Sequence, residues 1–212
     1  MYQLYYSPGT ASMVPHLLLQ EMAVDFELVF VNLENNAQKT NEYLTLNPTG
    51  RVPTLVDGDV TIYESPAICM YLCEKNPESK LMPDLGHPNR ALFYQWLTYL
   101  NNTIQAELMI YFYPDRHTTN ESYIPNIVAA QESRITDMFE LLDKELGNKS
   151  FLVGDNITAC DFFLFMLAMW AEEFAHPPLS FPNLGRYLRN LVQRKSVQDV
   201  CKKEELSLVA YQ

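Results

Sequence analysis

Asn47-Pro-Thr-Gly-Arg-Val-Pro-Thr-Leu55 places two prolines and a glycine directly ahead of an apolar pair, Leu55 and Val56. Proline cannot donate to a strand ladder, so Pro53 belongs at the entrance of a strand. Two readings of this stretch stand side by side. Either Pro53 simply starts a strand, or the Val52–Pro53 peptide is cis at a tight bend. In the second case the N–H and C=O of Val52 are left unpaired by the sheet, free to pair with a peptide lying antiparallel to them.

Working outward, residues 54–56 and 60–63 flank Asp57-Gly58-Asp59, a hairpin signal. Upstream, residues 2–6 and 26–31 read as strands. Between them Val14, Leu17, Leu18 and Met22 recur at helical spacing over 13–22. Residues 66–75 read as a further helix. A β-α-β unit implies a parallel pair, and the hairpin adds an antiparallel edge. The stretch 76–89 carries Pro77, Pro83, Gly86 and Pro88 and reads as a linker. Beyond it the pattern turns helical. Leu92, Phe93, Trp96, Leu97, Leu100, Ile104 and Leu108 form one stripe, and Ile124 to Leu142 carry another. Residues 158–173 are apolar almost all round, which predicts a helix at the centre of its domain. Helices over 184–192 and 197–202 follow. The expected organisation is an α/β domain over 1–77, a linker over 78–88 and an all-helical domain over 89–212.

Composition removes several classes of function. The net charge is −11 and Lys and Arg are not clustered, which argues against nucleic acid as a partner. No apolar run reaches the length of a membrane span. The N-terminus has neither a basic start nor a cleavage site, so a cytoplasmic location is expected. Cys69, Cys73, Cys160 and Cys201 form no CxxC pair, and the histidines are scattered. Buried thiols and no metal site are therefore expected.

Two more stretches hold polar groups at helix ends. In Tyr63-Glu-Ser-Pro-Ala-Ile68, Ser65 is expected to cap a helix with Pro66 at its first position. A helix N-terminus suits a carboxylate, and Glu64 beside it suits an ammonium, the two charges of an amino-acid head. An ordinary capped helix is the alternative. In Tyr5-Tyr-Ser-Pro-Gly-Thr-Ala-Ser-Met-Val-Pro-His16, Pro15 must lie in a first helical turn, which puts the cap near Ala11 or Ser12. The hydroxyls of Thr10 and Ser12 then sit at the positive end of a helix, where a thiolate is stabilised. Simple turn chemistry is again the alternative.

Three signals in order, NPTGRVPTL, YESPAI and FLVGDNITACDFFLF, resemble the cytosolic glutathione transferases over essentially the whole chain. The last contains Thr158 and Asp161 in capping-box spacing. The resemblance implies an α/β thioredoxin-like N-terminal domain followed by an all-α C-terminal helical domain, usually as a homodimer. It implies glutathione as co-substrate, with Val52 pairing its cysteinyl part next to a cis Pro53. Glu64 and Ser65 would hold its γ-glutamyl end, and Gln38, Lys39 or Arg51 its glycyl carboxylate.

The opening resembles the beta class, but Ala11 stands where that class has a cysteine, and Gln105 where it has a histidine. Against the delta and theta pattern Thr10 takes the catalytic serine position. Tyr6 lies near the tyrosine of the alpha, mu and pi classes, and a one-residue slip would give the role to Ser12. Met109, Tyr111, Phe112 and Tyr113 would either line the site of a small apolar electrophile or simply pack between the domains. The implied activity is attack of the glutathione thiolate on such an electrophile or on a peroxide, a detoxification. The alternative is a weakly catalytic binding module that acts through protein partners.

Overall fold

A computed structural model of the chain describes residues 1–212. One unit comprises Met1–Asp84 with Val192–Ala210 and Gln212, the other Leu85–Leu191 with Tyr211.

The first unit is built on a four-stranded sheet of order β2-β1-β3-β4. Strand β1 (Tyr2–Tyr6) runs parallel to β2 (Phe26–Phe30), and α1 (Met13–Met22) makes the crossover. Strand β3 (Thr54–Asp57) is antiparallel to β1 and, through the Gly58 turn, to β4 (Val60–Tyr63). Leu4 pairs with Leu28 on one side and Leu55 on the other. Alternation puts Leu4 and Tyr6 on one face, buried, while Val14, Leu17 and Leu18 of α1 are also fully buried. Helix α3 (Ser65–Lys75) packs against α1. The Val52–Pro53 peptide is cis, the second of the two readings. This is the thioredoxin-like α/β arrangement expected from the sequence, followed by a helical unit.

Helix α2 (Asn41–Leu46) was not anticipated. Six residues are too few to show a period, and its start is marked only by Thr40, whose hydroxyl accepts from Tyr43 N–H at 3.3 Å. The interdomain stretch is not a loose tether throughout, since Leu81 and Met82 are buried.

In the second unit α4 (Asn89–Tyr99) continues through a π-helical segment, Leu100–Gln105, into α5 (Ala106–Phe112). Helices α6 (Ile124–Leu146), α7 (Ala159–Trp170) and α8 (Pro182–Leu191) follow. Every residue from 159 to 168 is buried, as the all-round apolar pattern predicts. Asp161 ties the start of α7 together: it accepts from Thr158 N–H at 2.6 Å, Leu152 N–H at 2.8 Å and the Tyr187 hydroxyl at 2.6 Å.

Helix α9 (Lys195–Lys203) departs from the sequence reading, which placed it in the helical domain. It belongs to the first unit and packs on α1. Its polar partners lie there: Arg194 and Ser196 both bond Glu21, and Asp199 accepts from Gln20 at 3.4 Å. Helical periodicity shows that a segment has an apolar face but not which helix will cover it.

The end of α9 is a Schellman turn. Leu206 N–H bonds Cys201 C=O at 2.8 Å and Glu205 N–H bonds Lys202 C=O at 3.4 Å, with Glu205 at φ +58°. Glycine favours that conformation, and Glu205 is exposed. Glu205→Gly is therefore expected to stabilise the protein by about 0.5–1 kcal/mol, the left-handed penalty less glycine's entropy cost. Thermal unfolding should register this as a rise of a few degrees at most.

Candidate functional site

Three connections of the first unit carry the residues singled out by sequence. The first is the turn between β1 and α1. Thr10 N–H closes it onto Ser7 C=O at 3.3 Å. The Thr10 hydroxyl lies 2.7 Å from Ser7 C=O and 2.8 Å from Ser12 Oγ. Ser12 occupies the N-cap position of α1, yet its hydroxyl does not cap the helix. It turns back, accepting from Ser7 N–H at 3.2 Å and lying 3.0 Å from Ser7 C=O. Ser12 is fully buried, whereas Thr10 is partly exposed. Tyr6 is 8 % exposed, its ring edge-on to His16 and Phe30. Burial, and secondarily the Glu204 carboxylate, push its phenol pKa up.

The second connection is the loop ending in Val52 and Pro53. Buried Asn47 organises it. Its amide donates to Arg51 C=O at 2.8 Å and to Thr54 Oγ1 at 3.1 Å, while its oxygen accepts from Thr49 N–H at 3.1 Å. The Tyr43 hydroxyl of α2 donates to Arg51 C=O at 2.6 Å and lies 2.9 Å from Thr54 Oγ1. The loop is thus fixed on both sides of Val52, while the N–H and C=O of Val52 itself bond no group of the protein. Gly50, at φ +59°, lets the 37–39 turn approach: an added Cβ would fall 2.7 Å from Lys39 Nζ and 3.0 Å from Gln38 C=O. Lys39 and Arg51 are exposed cations, and Gln38 keeps a shielded Oε1 with no hydrogen-bond partner.

The third is the start of α3. Ser65 was expected to cap it, but Glu64 stands at the cap position with φ +72° and no capping bond. The Ser65 hydroxyl donates instead to Ala11 C=O at 2.9 Å, tying α3 to the first turn. That tertiary acceptor outcompetes the local cap. The Glu64 carboxylate is exposed, beside first-turn N–H groups that no helical carbonyl can satisfy.

Sequence reading missed the supports of this constellation: Tyr43, Asn47 and Thr54 under the bend, Ser7 under the hydroxyls, and the His16–Glu204 pair beside the turn. Polar residues at a predicted loop foot, such as Asn47 ahead of Pro48, were the available signal.

In the second unit the aromatic run behaves as a cluster. The Tyr111 ring is 4.6 Å from Phe174, Phe112 is 6.4 Å from Trp170, and the Arg116 guanidinium lies 3.9 Å over Tyr113. Phe112 and Tyr113 are exposed. Gln105, at the end of the π-helical segment, has a shielded Oε1 without a partner.

Residues 1–74 match the family model "Glutathione S-transferase, N-terminal domain", and residues 99–195 match "Glutathione S-transferase, C-terminal domain". Glutathione S-transferase GstA of Escherichia coli O157:H7 is 28% identical over 206 residues, spanning 96% of this chain and 99% of that protein. Glutathione S-transferase hmp2 of Hypomyces subiculosus is 30% identical over 199 residues, 89% of this chain and 91% of that one. A sphingomonad glutathione S-transferase solved in complex with glutathione superimposes with a TM-score of 0.84 at 31% identity, covering 97% of this chain and 100% of its own. Both halves match in order, and these relatives are spanned almost end to end: the chain belongs to the glutathione transferase family.

Proposed function

We propose that the protein binds glutathione along the Val52–Pro53 bend and activates its thiol with the Thr10 hydroxyl, for attack on an apolar electrophile or a peroxide. The observation that carries this reading is the main chain of Val52. A donor and an acceptor stand unpaired in a loop that Asn47 and Tyr43 hold rigid. An extended peptide satisfies both at once, and the relative solved with glutathione supports the choice of tripeptide. The ammonium of the γ-glutamyl head pairs with Glu64, and its carboxylate takes the N–H groups at Ser65 and the start of α3. Lys39 and Arg51 are the cations for the glycyl carboxylate, with Gln38 as a neutral donor beside them.

Hydrogen-bond inventory favours Thr10 among the three hydroxyls. The Thr10 hydroxyl donates to the Ser7 carbonyl at 2.7 Å, and Ser12, 3.0 Å from the same carbonyl, can take over that donation when the Thr10 proton turns to a third acceptor. Ser12 is sealed from solvent, and the raised pKa of Tyr6 follows from its burial. Lowering a thiol pKa by about two units requires about 2.7 kcal/mol. One hydrogen bond to a charged acceptor contributes about 1.5–3 kcal/mol, and the helix end up to about 1 more. A single hydroxyl is therefore sufficient. We expect a cytoplasmic homodimer.

Ala11 and Gln105 favour one second reading, a glutathione-binding module with little chemistry of its own. Calorimetry with glutathione separates the cases. Wild type is expected to bind, and Glu64→Gln, which removes the charge but keeps the length, to bind about tenfold more weakly. No heat from the wild-type protein would sink the proposal. Heat without turnover of a model aryl halide or a hydroperoxide would leave the module.

A further inference from the structure

We propose that Glu204, beyond the last turn of α9, is a positioning residue for thiol activation that holds the Gly9–Thr10 turn from the far end of the chain. The inference rests on the reading of Thr10 given above.

Glu204 is 2 % exposed and uses both carboxylate oxygens. Oε1 lies 2.6 Å from His16 Nδ1, and Oε2 accepts from Gly9 N–H at 2.8 Å. Gly9 precedes Thr10 and His16 follows it in α1, so one carboxylate brackets the segment that carries the hydroxyl. His16 is 2 % exposed, and its ring meets Tyr6 and Phe26 edge-on. The C-terminal segment also touches the turn directly. Gly9 sits at φ +67°, and a Cβ added there would fall 3.4 Å from Leu206 Cδ2. The Schellman turn accounts for both contacts: it ends α9 at Lys203 and turns the chain so that Glu204 and Leu206 both meet the Pro8–Thr10 turn.

Glu204 satisfies the part-buried Gly9 N–H, so its loss carries a stability cost of its own. That cost reaches the thiol only if the turn moves, which makes the thiol the readout that separates positioning from stability. A carboxylate does fix the direction of a main-chain N–H. Direction matters one residue later, because a hydrogen bond to a thiolate weakens steeply off its axis, and displacements near 1 Å cost large factors in rate.

A double-mutant cycle tests this, read out as the thiol pKa of bound glutathione (thiolate absorbance against pH) with calorimetric affinity beside it. Glu204→Ala is expected to raise the bound thiol pKa by about half a unit to one unit, with glutathione affinity changed far less. Glu204→Gln should stay near wild type, since its amide oxygen can still accept from Gly9. In the Thr10→Ala background, Glu204→Ala should add no further shift. The proposal is overturned if Glu204→Ala lowers the melting temperature and leaves the thiol pKa where it was. It is equally overturned if the same shift persists without Thr10. A Thr10→Ala variant with an unchanged thiol would remove the underlying reading instead, so the two failures are distinct. Should Glu204→Ala not fold, Glu204→Asp, one methylene short of Gly9, takes its place under the same criteria.

Discussion

Asp161→Ala should destabilise the protein by about 3 kcal/mol or more, a shift of over a hundredfold in the unfolding equilibrium. The side chain is fully buried, and four donors converge on it: the N–H groups of Leu152 and Thr158 and the hydroxyls of Thr158 and Tyr187. Alanine leaves those donors buried without an acceptor, and each orphan costs about 1–3 kcal/mol. Relief of a buried carboxylate offsets part of the loss. Burial pushes the Asp161 pKa up against the opposing hydrogen bonds, so its contribution to stability is greatest below the ordinary carboxylate range. It falls as pH rises through the folded-state pKa. The gap between wild type and variant should therefore narrow from acid toward neutral pH. Tyr187 keeps its proton throughout, since burial and Asp161 hold its pKa well above the usual phenol value. Denaturant unfolding at several pH values checks both statements. A loss under 1 kcal/mol would show that the network is dispensable.

Thr10→Ala should raise the pKa of the bound glutathione thiol by about one to two units, cutting the thiolate at neutral pH roughly tenfold or more. Binding should survive, because Val52, Glu64 and the start of α3 are untouched. Ser12→Ala is the contrast. It orphans the Ser7 N–H and returns the Ser7 carbonyl to the Thr10 proton, so it should cost stability and also raise the thiol pKa, but by less than Thr10→Ala, because the charged thiolate still competes for that proton. An ultraviolet titration of the thiolate in the three proteins decides between them. If Ser12→Ala gave the larger shift, the role would pass to Ser12.

What was legible in the chain was local. The aromatic and apolar residues of 2–6, the Asp57-Gly58 turn, the proline before β3 and the all-round apolar 158–173 run each depend on neighbours in sequence, and each predicts its element. The uses of individual hydroxyls were less legible. Ser12 and Ser65 both carry the chemistry of a cap, and a propensity is all that sequence expresses. One is claimed by Ser7 five residues away, the other by Ala11 across 54 residues. The His16–Glu204 contact spans 188 positions and leaves no periodic trace. Likewise, α9 reads from its sequence as part of the helical domain, and its place on α1 shows only in long-range partners such as Glu21 with Arg194 and Ser196.

Because α9 covers α1, the first domain is discontinuous in the chain. During synthesis its sheet can form early, but the outer side of α1 stays uncovered until residues beyond 200 have left the ribosome. The helical domain must therefore be made, and can fold, while the domain before it is still open. A polypeptide released at residue 84 lacks that covering helix, and with it the carboxylate that His16 and Gly9 share.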